Sequence, residues 1–217
     1  MCGSYYIAEE DSAEELRQII TEVQKNLNHG VPLKTYGEVY PSDVVPIRLR
    51  ASQEMRAIAA KWGFVFPGSS RLIINAKKET LREKPIFRNA TPCVIPATNY
   101  FEWETVQPAE AASDPIQLSF TGMESPKPVK PSKPRKEKRA IRPDNKASVF
   151  YMAGLLRQEA NAPVPVFTII TREPAPELAH IHDRMPFIMT DDQIPAWLEE
   201  GALPEVSPIK YHAEAAH

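Results

Sequence analysis

The chain begins Met1-Cys2-Gly3, and Cys2 is the residue whose chemistry the sequence singles out. Methionine is normally removed when a small residue follows it, and removal would leave Cys2 with a free α-amine beside its thiol. These groups titrate near ~8 and ~8.5, so both have a reactive fraction at neutral pH. Such an aminothiol can attack an acyl carbon through sulfur, or condense with an aldehyde through nitrogen. A lone cysteine is more often a small buried hydrophobic residue, so only other residues of the chain can indicate whether Cys2 is reactive.

Three further polar residues stand where the surrounding sequence does not require them. Asn75 follows the apolar run 72–74, Glu102 lies between two large aromatic residues, and His182 precedes the apolar run 187–189. A carboxylate among aromatic side chains is costly unless it is paired or functional. Each has an ordinary explanation when taken singly, because a strand glutamate can face solvent and a histidine beside an aspartate is often structural.

The elements that must position these residues are mostly strands. One amphipathic helix is predicted for residues 13–28, where a capping box precedes an apolar stripe and Asn-His-Gly ends it. Shorter helices are predicted at 176–180 and 193–199. Apolar runs of strand length, separated by turn residues, predict strands at 44–49, 55–66, 72–75, 93–96, 116–120, 149–156, 165–170 and 187–189.

These elements predict an α+β fold. Strands outnumber helices and few helical crossovers separate them, which favours a mostly antiparallel, irregular β-barrel or sheet with peripheral helices. The length of 217 residues suits one domain over residues 1–217. Within it, the Pro/Lys-rich segment 123–147 contains few large aliphatic residues, and we interpret it as a disordered insertion between two strands.

Charge is distributed unevenly along the chain. Residues 127–146 carry nine Lys or Arg and two acidic residues, a local charge of +7, whereas the whole chain has a net charge of −2 and the remainder therefore carries −9. An acidic body argues against phosphate binding over the whole surface and leaves a local basic groove, or the basic segment, for nucleic acid. We interpret the segment first as a solvated linker and second as a basic arm.

Cysteine usage and hydropathy indicate the compartment. Cys2 and Cys93 are too few for a secreted disulfide framework and predict reduced thiols of a cytoplasmic protein. No signal peptide and no apolar run of membrane length is recognised, so a membrane association is not expected. No Cys/His set has zinc spacing and no Gly-rich phosphate loop occurs, so neither a metal nor an organic cofactor is predicted. A monomer is expected.

Read together and in order, these residues resemble the SOS response-associated peptidase (SRAP) family, whose members protect abasic sites in single-stranded DNA by crosslinking to them. The resemblance covers nearly the whole chain, and the ordered set is more specific than any one block. The matching blocks are Met1-Cys2-Gly3, Trp62-Gly63, Ile74-Asn75-Ala76-Lys77 with Glu79-Thr80, Phe101-Glu102-Trp103, Tyr151-Met152-Ala153-Gly154-Leu155 and Ile181-His182-Asp183-Arg184-Met185-Pro186.

The resemblance implies a role for each candidate catalytic residue. The Cys2 amine would condense with the aldehyde of a ring-opened abasic sugar, and its sulfur would then close a thiazolidine. His182 would supply the proton that opens the sugar ring, and Glu102 would supply the proton for the departing hydroxyl. Asn75 would orient the Cys2 amine or the sugar hydroxyls. Abasic-site lyase activity and autoproteolytic or peptidase activity are implied as well.

Single-stranded DNA with abasic sites is the implied partner. The matching cations for its phosphates are Lys77 and Arg184, and Arg82 and Arg88 are further candidates. Cations at phosphates supply affinity without reading sequence, which suits a lesion that can occur anywhere.

The chain departs from the family pattern in three places. Ser4 stands where the family usually has Arg, the loop 66–71 replaces a Trp-rich loop that wedges DNA in familiar bacterial members, and the segment 37–41 replaces an Asn-Val-Ala-Pro-type sequence. These departures bear on DNA affinity and geometry more than on the chemistry of Cys2. Both tryptophans of the matching blocks, Trp62 and Trp103, are predicted to lie in the core instead of stacking on bases.

Two alternatives from other classes stay open on the sequence. An N-terminal nucleophile amidohydrolase would also expose Cys2 after Met1, with the thiol attacking a carboxamide, although that family's Arg-Gly-Pro-Asp and Asn-Gly-Glu motifs are absent. A non-catalytic module for single-stranded nucleic acid would instead use the basic segment 127–146, and Cys2 would be dispensable.

Overall fold

The computed structural model describes residues 2–9, 13–27, 30–52, 54–66, 68–107, 134–145, 147–160 and 162–216. Its α-helices are α1 (Glu14–Asn26) and α2 (Ile194–Glu200), and short 3-10 helices occupy Lys78–Thr80, Pro85–Phe87 and Pro176–Leu178. In chain order the strands are β1 (Ser4–Ile7), β2 (Gly37–Val39), β3 (Val44–Ala51), β4 (Glu54–Trp62), β5 (Phe64–Val65), β6 (Leu72–Ile73), β7 (Asn75–Lys77), β8 (Thr91–Ala97), β9 (Asn99–Val106), β10 (Arg135–Pro143), β11 (Phe150–Arg157), β12 (Val166–Arg172), β13 (Met185–Pro186), β14 (Ile188–Met189) and β15 (Tyr211–Ala215).

Two sheets carry the fold. The first contains five antiparallel strands in the order β15-β10-β9-β1-β2. In the second, β12, β4, β3, β8 and β11 pair in that order, and β11 also pairs with β12, so these strands close into a ring. Within the ring only β12 and β4 run parallel. The predicted α+β fold of mostly antiparallel strands is therefore confirmed.

Two apolar clusters pack against the second sheet from opposite sides. Successive residues of β12, Ile169 and Ile170, belong to different clusters, and so do Val94 and Ile95 of β8. Because neighbouring residues of a strand point to opposite faces, this assignment shows that both faces are covered. Helix α1 contributes to both clusters through one apolar stripe. The near-continuous apolar sequences of β11 and β12 follow from this double burial.

The elements of the second sheet and the helices were largely predictable. The long helix is confirmed at Glu14–Asn26, and the predicted helix at 193–199 corresponds to α2. The prediction at 176–180 forms only the 3-10 helix Pro176–Leu178. Within the described chain, neither α-helix is long and apolar enough to cross a membrane. The strand predicted at 116–120 lies outside the described residues.

The first sheet is the part of the fold that apolar runs did not predict. Its strands β1, β2, β9, β10 and β15 mix buried residues with partly or fully exposed ones, so none presents a long apolar run. Strand β10 lies inside the segment 123–147, whose interpretation as a disordered insertion does not hold for residues 135–143. Its cations find acidic partners across the sheet, including Lys138 with Glu38 at 2.5 Å. Residues 123–133 lie outside the described chain.

The two tryptophans of the matching blocks have different environments. Trp62 is fully buried, as predicted, and its Nε1 donates a hydrogen bond to the Ile74 carbonyl at 2.9 Å. Its ring stacks on Phe167 with centroids 6.3 Å apart. Trp103 is 54% exposed, so its predicted core position is wrong. Strand alternation explains the difference, because the inward position of this part of β9 is taken by Glu102.

Gly154 of β11 permits close packing between three strands of the ring. A Cβ atom at this position would lie 2.4 Å from Ile95 Cδ1, 2.9 Å from the Thr168 carbonyl oxygen and 3.1 Å from Cys93 Sγ. The backbone oxygen belongs to the adjacent strand β12, so it cannot move without disturbing the ladder. Glycine is therefore required here for space.

We expect Gly154→Ala to lower the free energy of unfolding by about 3 kcal/mol, because overpacking beside fixed backbone is not relieved by side-chain movement. Denaturant unfolding measures the change. Gly68→Ala is the matched control, since Gly68 has φ +73° and a Cβ added there would meet no atom within 4 Å. It should cost about 1 kcal/mol from backbone conformation alone. Equal losses in the two variants would contradict the steric explanation.

Candidate active site around Cys2

Cys2 lies two residues before the start of β1, the strand that pairs with both β9 and β2 in the first sheet. Its side chain is fully buried, and the Sγ hydrogen is directed to the Ser4 carbonyl, 3.5 Å away. Burial raises the pKa of the Cys2 thiol far above its usual range, and the nearby charge of Glu102 raises it further. The sulfur is therefore a neutral thiol at physiological pH.

Asn75 joins the second sheet to Cys2. It begins β7, which runs parallel to β12 with Asn75 opposite Ile169. Its Nδ2 donates a hydrogen bond to the Cys2 carbonyl at 2.8 Å. Its Oδ1 is buried and accepts no hydrogen bond from the described residues. The side chain thus fixes the backbone of Cys2 and retains an acceptor next to it.

Glu102 is the buried carboxylate of the site. Its position on β9 directs it to the inner face of the first sheet, where it is only 4% exposed. Burial raises the pKa of Glu102 to about 7, the positive amino-terminal charge lowers it, and Asp183 raises it. A carboxyl group with this pKa holds a proton for part of the time at neutral pH, so it can act as an acid or as a base.

His182 faces Glu102 from the loop that follows the 3-10 helix Pro176–Leu178. Its Nε2 lies 3.9 Å from Glu102 Oε2, and its Nδ1 accepts a hydrogen bond from the Arg184 backbone N–H at 3.0 Å. Burial lowers the pKa of His182, which favours the neutral ring. Because Nδ1 is an acceptor, the proton of the neutral ring belongs on Nε2, toward Glu102.

Asp183 makes a competing contact with the same imidazole nitrogen. Its Oδ1 lies 2.7 Å from His182 Nδ1, which is favourable only when that nitrogen carries a proton. The Asp183 side chain is 83% exposed and loses little by turning to water. The Arg184 backbone N–H cannot turn away in this manner, so it determines the tautomer of the neutral ring.

Arg184 differs from its predicted role as a phosphate contact. Its guanidinium is buried and forms a bidentate pair with Glu79, at 3.2 Å and 2.9 Å, while Nη2 also donates to the Thr171 carbonyl at 2.7 Å. These bonds attach the His182 loop to β12 and to the segment after β7. Arg184 is therefore a structural clamp in this structure, and the phosphate contact predicted for it stays a prediction. The motif did not reveal that Glu79 is its partner.

The other predicted cations are exposed, and Lys77 is the one nearest to the site in sequence. Lys77 lines a cleft of about 370 Å³ that also includes Asn75. Two cations that sequence reasoning missed, Arg71 and Lys84, line the same cleft, as does the exposed ring of Phe66. The closeness of Arg71 to Asn75 along the chain was a usable signal, whereas the position of Lys84 depends on the fold.

Arg82 and Arg88 are exposed on the segment between β7 and β8. They lie on the same connection as Lys84, so their charges add to the positive potential near the cleft. Neither is among the residues that form its walls.

The four predicted catalytic residues thus come together from separate parts of the chain: Asn75 and Glu102 lie in the two sheets, Cys2 precedes β1 and His182 lies in a loop. Asn75 contacts Cys2 directly, His182 faces Glu102, and the charge of Glu102 acts on the Cys2 thiol. The arrangement combines a nucleophilic residue with two titratable groups, of which Glu102 has a pKa of about 7, and this suits covalent catalysis with acid–base assistance. Among the described residues, no group of three or more His, Cys, Asp or Glu side chains is placed to hold a metal ion.

Two solved structures share this fold. A protein from Bacteroides thetaiotaomicron superposes with a TM-score of 0.64 at 20% identity, covering 100% of this chain and 92% of that chain. A phage-related protein from Bordetella bronchiseptica gives a TM-score of 0.61 at 19% identity, with 98% of this chain and 94% of that chain covered.

Sequence comparison identifies more closely related proteins. Abasic site processing protein YoqW of Bacillus subtilis is 29% identical over 213 residues, which cover 91% of this chain and 80% of that protein. Abasic site processing protein HMCES of Xenopus tropicalis is 24% identical over 73% of this chain and 50% of its own length. Residues 1–214 match the family described as SOS response associated peptidase (SRAP). The chain therefore belongs to the SRAP family.

Proposed function

We propose that this protein processes abasic sites in DNA by forming a covalent thiazolidine crosslink between Cys2 and the abasic sugar, in single-stranded DNA. The observation that carries the proposal is the convergence on Cys2 of Asn75 and the Glu102–His182 pair. The names of the relatives, abasic site processing proteins, support the same substrate class. The chemistry requires removal of Met1, since only then does Cys2 carry a free amine.

The burial of the thiol determines the order of the two bond-forming steps. A neutral thiol is a poor nucleophile, so the amine attacks the aldehyde carbon of the ring-opened sugar first. The carbinolamine loses its hydroxyl as water and becomes an imine. The sulfur then adds to the imine carbon while the thiol proton passes to nitrogen. The net reaction joins aldehyde and aminothiol and releases one water.

Glu102 and His182 supply the protons for these steps. In its imidazolium form His182 protonates the ring oxygen as the sugar opens, and Glu102 in its carboxylic acid form protonates the departing hydroxyl of the carbinolamine. Their separation of 3.9 Å allows a small movement, or one water, to pass a proton between them. Burial raises the pKa of Glu102 to about 7 and lowers that of His182, so it favours the uncharged form of each group.

The DNA strand is assigned to the cleft beside Asn75. Arg71, Lys77 and Lys84 bring positive charge to it, and the exposed ring of Phe66 offers a surface on which a base can stack. The exposed indole of Trp103 is a second surface of this type. These groups supply affinity without base-specific contacts, as a lesion of variable sequence context requires.

Strand cleavage and peptide hydrolysis are secondary activities of the same site. The imine acidifies the neighbouring carbon of the sugar, and the ionised form of Glu102 can act as the base for lyase chemistry. Peptide hydrolysis, which the family description names, requires sulfur to attack first. The raised pKa of the buried thiol opposes that step, so we rank hydrolysis below crosslinking.

Incubation with a single-stranded oligonucleotide that carries one abasic site tests the proposal directly. Intact mass spectrometry should show loss of Met1 and then a heat-stable adduct whose mass is protein plus oligonucleotide less one water. Cys2→Ala should form no such adduct, and Cys93→Ala, which removes the other buried thiol, serves as the matched control. A processed protein that forms no adduct, or an adduct that persists in Cys2→Ala, would refute the mechanism.

The pH dependence of crosslinking should report the protonation of Glu102. Because the acid form is the active one and its pKa is about 7, the rate should fall at higher pH. Glu102→Gln should lower the rate about 10²-fold and remove this dependence. Single-turnover rates are measured by gel shift between about pH 5 and about pH 9, which brackets the titration of such a group. An unchanged profile in Glu102→Gln would exclude Glu102 as the acid.

Lys77 should contribute one phosphate contact to binding. We expect Lys77→Ala to weaken binding of single-stranded DNA and to reduce the slope of log affinity against log salt by about 0.7, the value for one contact on a single strand. Fluorescence anisotropy at several salt concentrations measures the slope. Lys25→Ala, which removes an exposed cation from α1, is the control and should leave the slope unchanged.

A further inference from the structure

We infer that Glu104 is a positioning residue for Glu102, because it holds the guanidinium of Arg139 away from the Glu102 carboxylate. The inference rests on the proposed role of Glu102 as the acid of the crosslinking reaction. It concerns a network on β9 and β10 that the proposed mechanism does not otherwise use.

The strand register places Arg139 directly opposite Glu102. In the antiparallel pair of β9 and β10, Arg139 is the partner of Glu102 and Glu137 is the partner of Glu104. Side chains of directly opposed residues lie on the same face with Cβ atoms about 5 Å apart. An arginine in this position is within reach of Glu102 and would by default form an ion pair with it.

The Arg139 guanidinium is directed to Glu104 and Glu137 and not to Glu102. Its Nε donates to Glu104 Oε2 at 2.6 Å, and Nη2 lies 3.0 Å from Glu137 Oε2. Glu104 follows Glu102 by two residues on β9 and therefore projects from the same face, one step farther along the strand. The two carboxylates together draw Arg139 along the sheet and away from the active site.

The network continues outward to solvent. Arg135 contacts Glu137, and His180 Nε2 lies 3.8 Å from Glu104 Oε1. The Glu104 side chain is mostly buried, whereas His180 is largely exposed. Glu104 thus lies between the active site and the surface, next to both Arg139 and His180.

The consequence concerns the proton affinity of Glu102. Burial raises its pKa to about 7, and the groups that act on it are the amino-terminal charge, Asp183, His182 from the facing loop and the Cys2 thiol. An arginine in contact with a carboxylate lowers its pKa by about 1–3. If Arg139 turned to Glu102, the carboxyl would stay ionised at neutral pH and could no longer donate a proton.

The same contacts would also occur in a pair that only stabilises the sheet, so the test must read the protonation of Glu102 itself. The full-length protein is labelled with ¹³C at glutamate Cδ, and the carboxyl signal of Glu102 is assigned by its absence in Glu102→Gln. Its titration is compared in wild type, Glu104→Gln, Arg139→Gln and the double variant. Thermal unfolding establishes that each variant is folded.

Glu104→Gln should move the Glu102 midpoint downward by about 1 pH unit or more, the size expected for a new arginine contact. In the Arg139→Gln background, the same Glu104→Gln change should move it much less. Glu214→Gln is the matched control, because the register of β15 places Glu214 opposite Ala140 and so on the other face of the sheet from Arg139. It should leave the midpoint unchanged.

Two results would overturn the inference. The first is an unchanged Glu102 midpoint in folded Glu104→Gln, and the second is a shift of equal size in the Arg139→Gln background, which would indicate a direct effect of the Glu104 charge. If Glu104→Gln does not fold, Glu137→Gln releases the other side of the guanidinium and should produce a smaller shift in the same direction, whose absence is equally decisive.

The crosslinking rate provides an independent readout. Its high-pH limb should move downward in Glu104→Gln by the same amount as the Glu102 titration and return in the double variant. Because the titration needs no DNA, a protein that fails to crosslink would refute the proposed function without affecting the test of Glu104.

Discussion

The site depends on the burial of one carboxylate. The side chain of Glu102 points inward from β9, as does the side chain of Tyr100 two residues earlier on the same strand. An apolar or aromatic residue would be the usual occupant of such a buried position. The loss of hydration raises the pKa of Glu102 to about 7, and this cost is tolerable because the charged form is not required all the time. The same burial acts on the Cys2 thiol and on His182, so the three titrating groups of the site share one physical cause for their altered proton affinities.

The surrounding structure directs two arginine side chains near that carboxylate to other acidic partners. The backbone N–H of Arg184 fixes the tautomer of His182, while the Arg184 side chain is bound to Glu79 and Thr171. Farther along β9, Glu104 binds the arginine that lies opposite Glu102. Strong ion pairs therefore occur around the site, and the site itself contains a weaker contact of 3.9 Å between groups that can exchange a proton.

The sequence predicted the parts of the fold and of the site whose surroundings are set by residues nearby in the chain. It did not predict those whose surroundings are set by distant segments. Strands β11 and β12 of the ring are almost entirely apolar, so their burial could be predicted from their own sequences. The same holds for helix α1, whose buried apolar residues recur at helical spacing. The strands of the first sheet have no such runs and were missed. The ordered motifs identified Cys2, Asn75, Glu102 and His182, which the fold brings together. The core position predicted for Trp103 was wrong, and the Glu79 partner of Arg184 was not foreseen, because a strand's inward face and a cation's partner are set by distant segments.

Trp62 is a core residue that also helps to set the position of Cys2 relative to Asn75. Cys2 precedes a strand of one sheet and Asn75 lies in a strand of the other, so no strand pairing fixes the distance between them. Trp62 spans this seam, since its ring lies 5.4 Å from that of Tyr5 and its Nε1 binds the carbonyl of Ile74. The alignment of Cys2 with Asn75 is accordingly a property of how the two sheets dock. A loosened core would misalign these two residues while every strand remained paired.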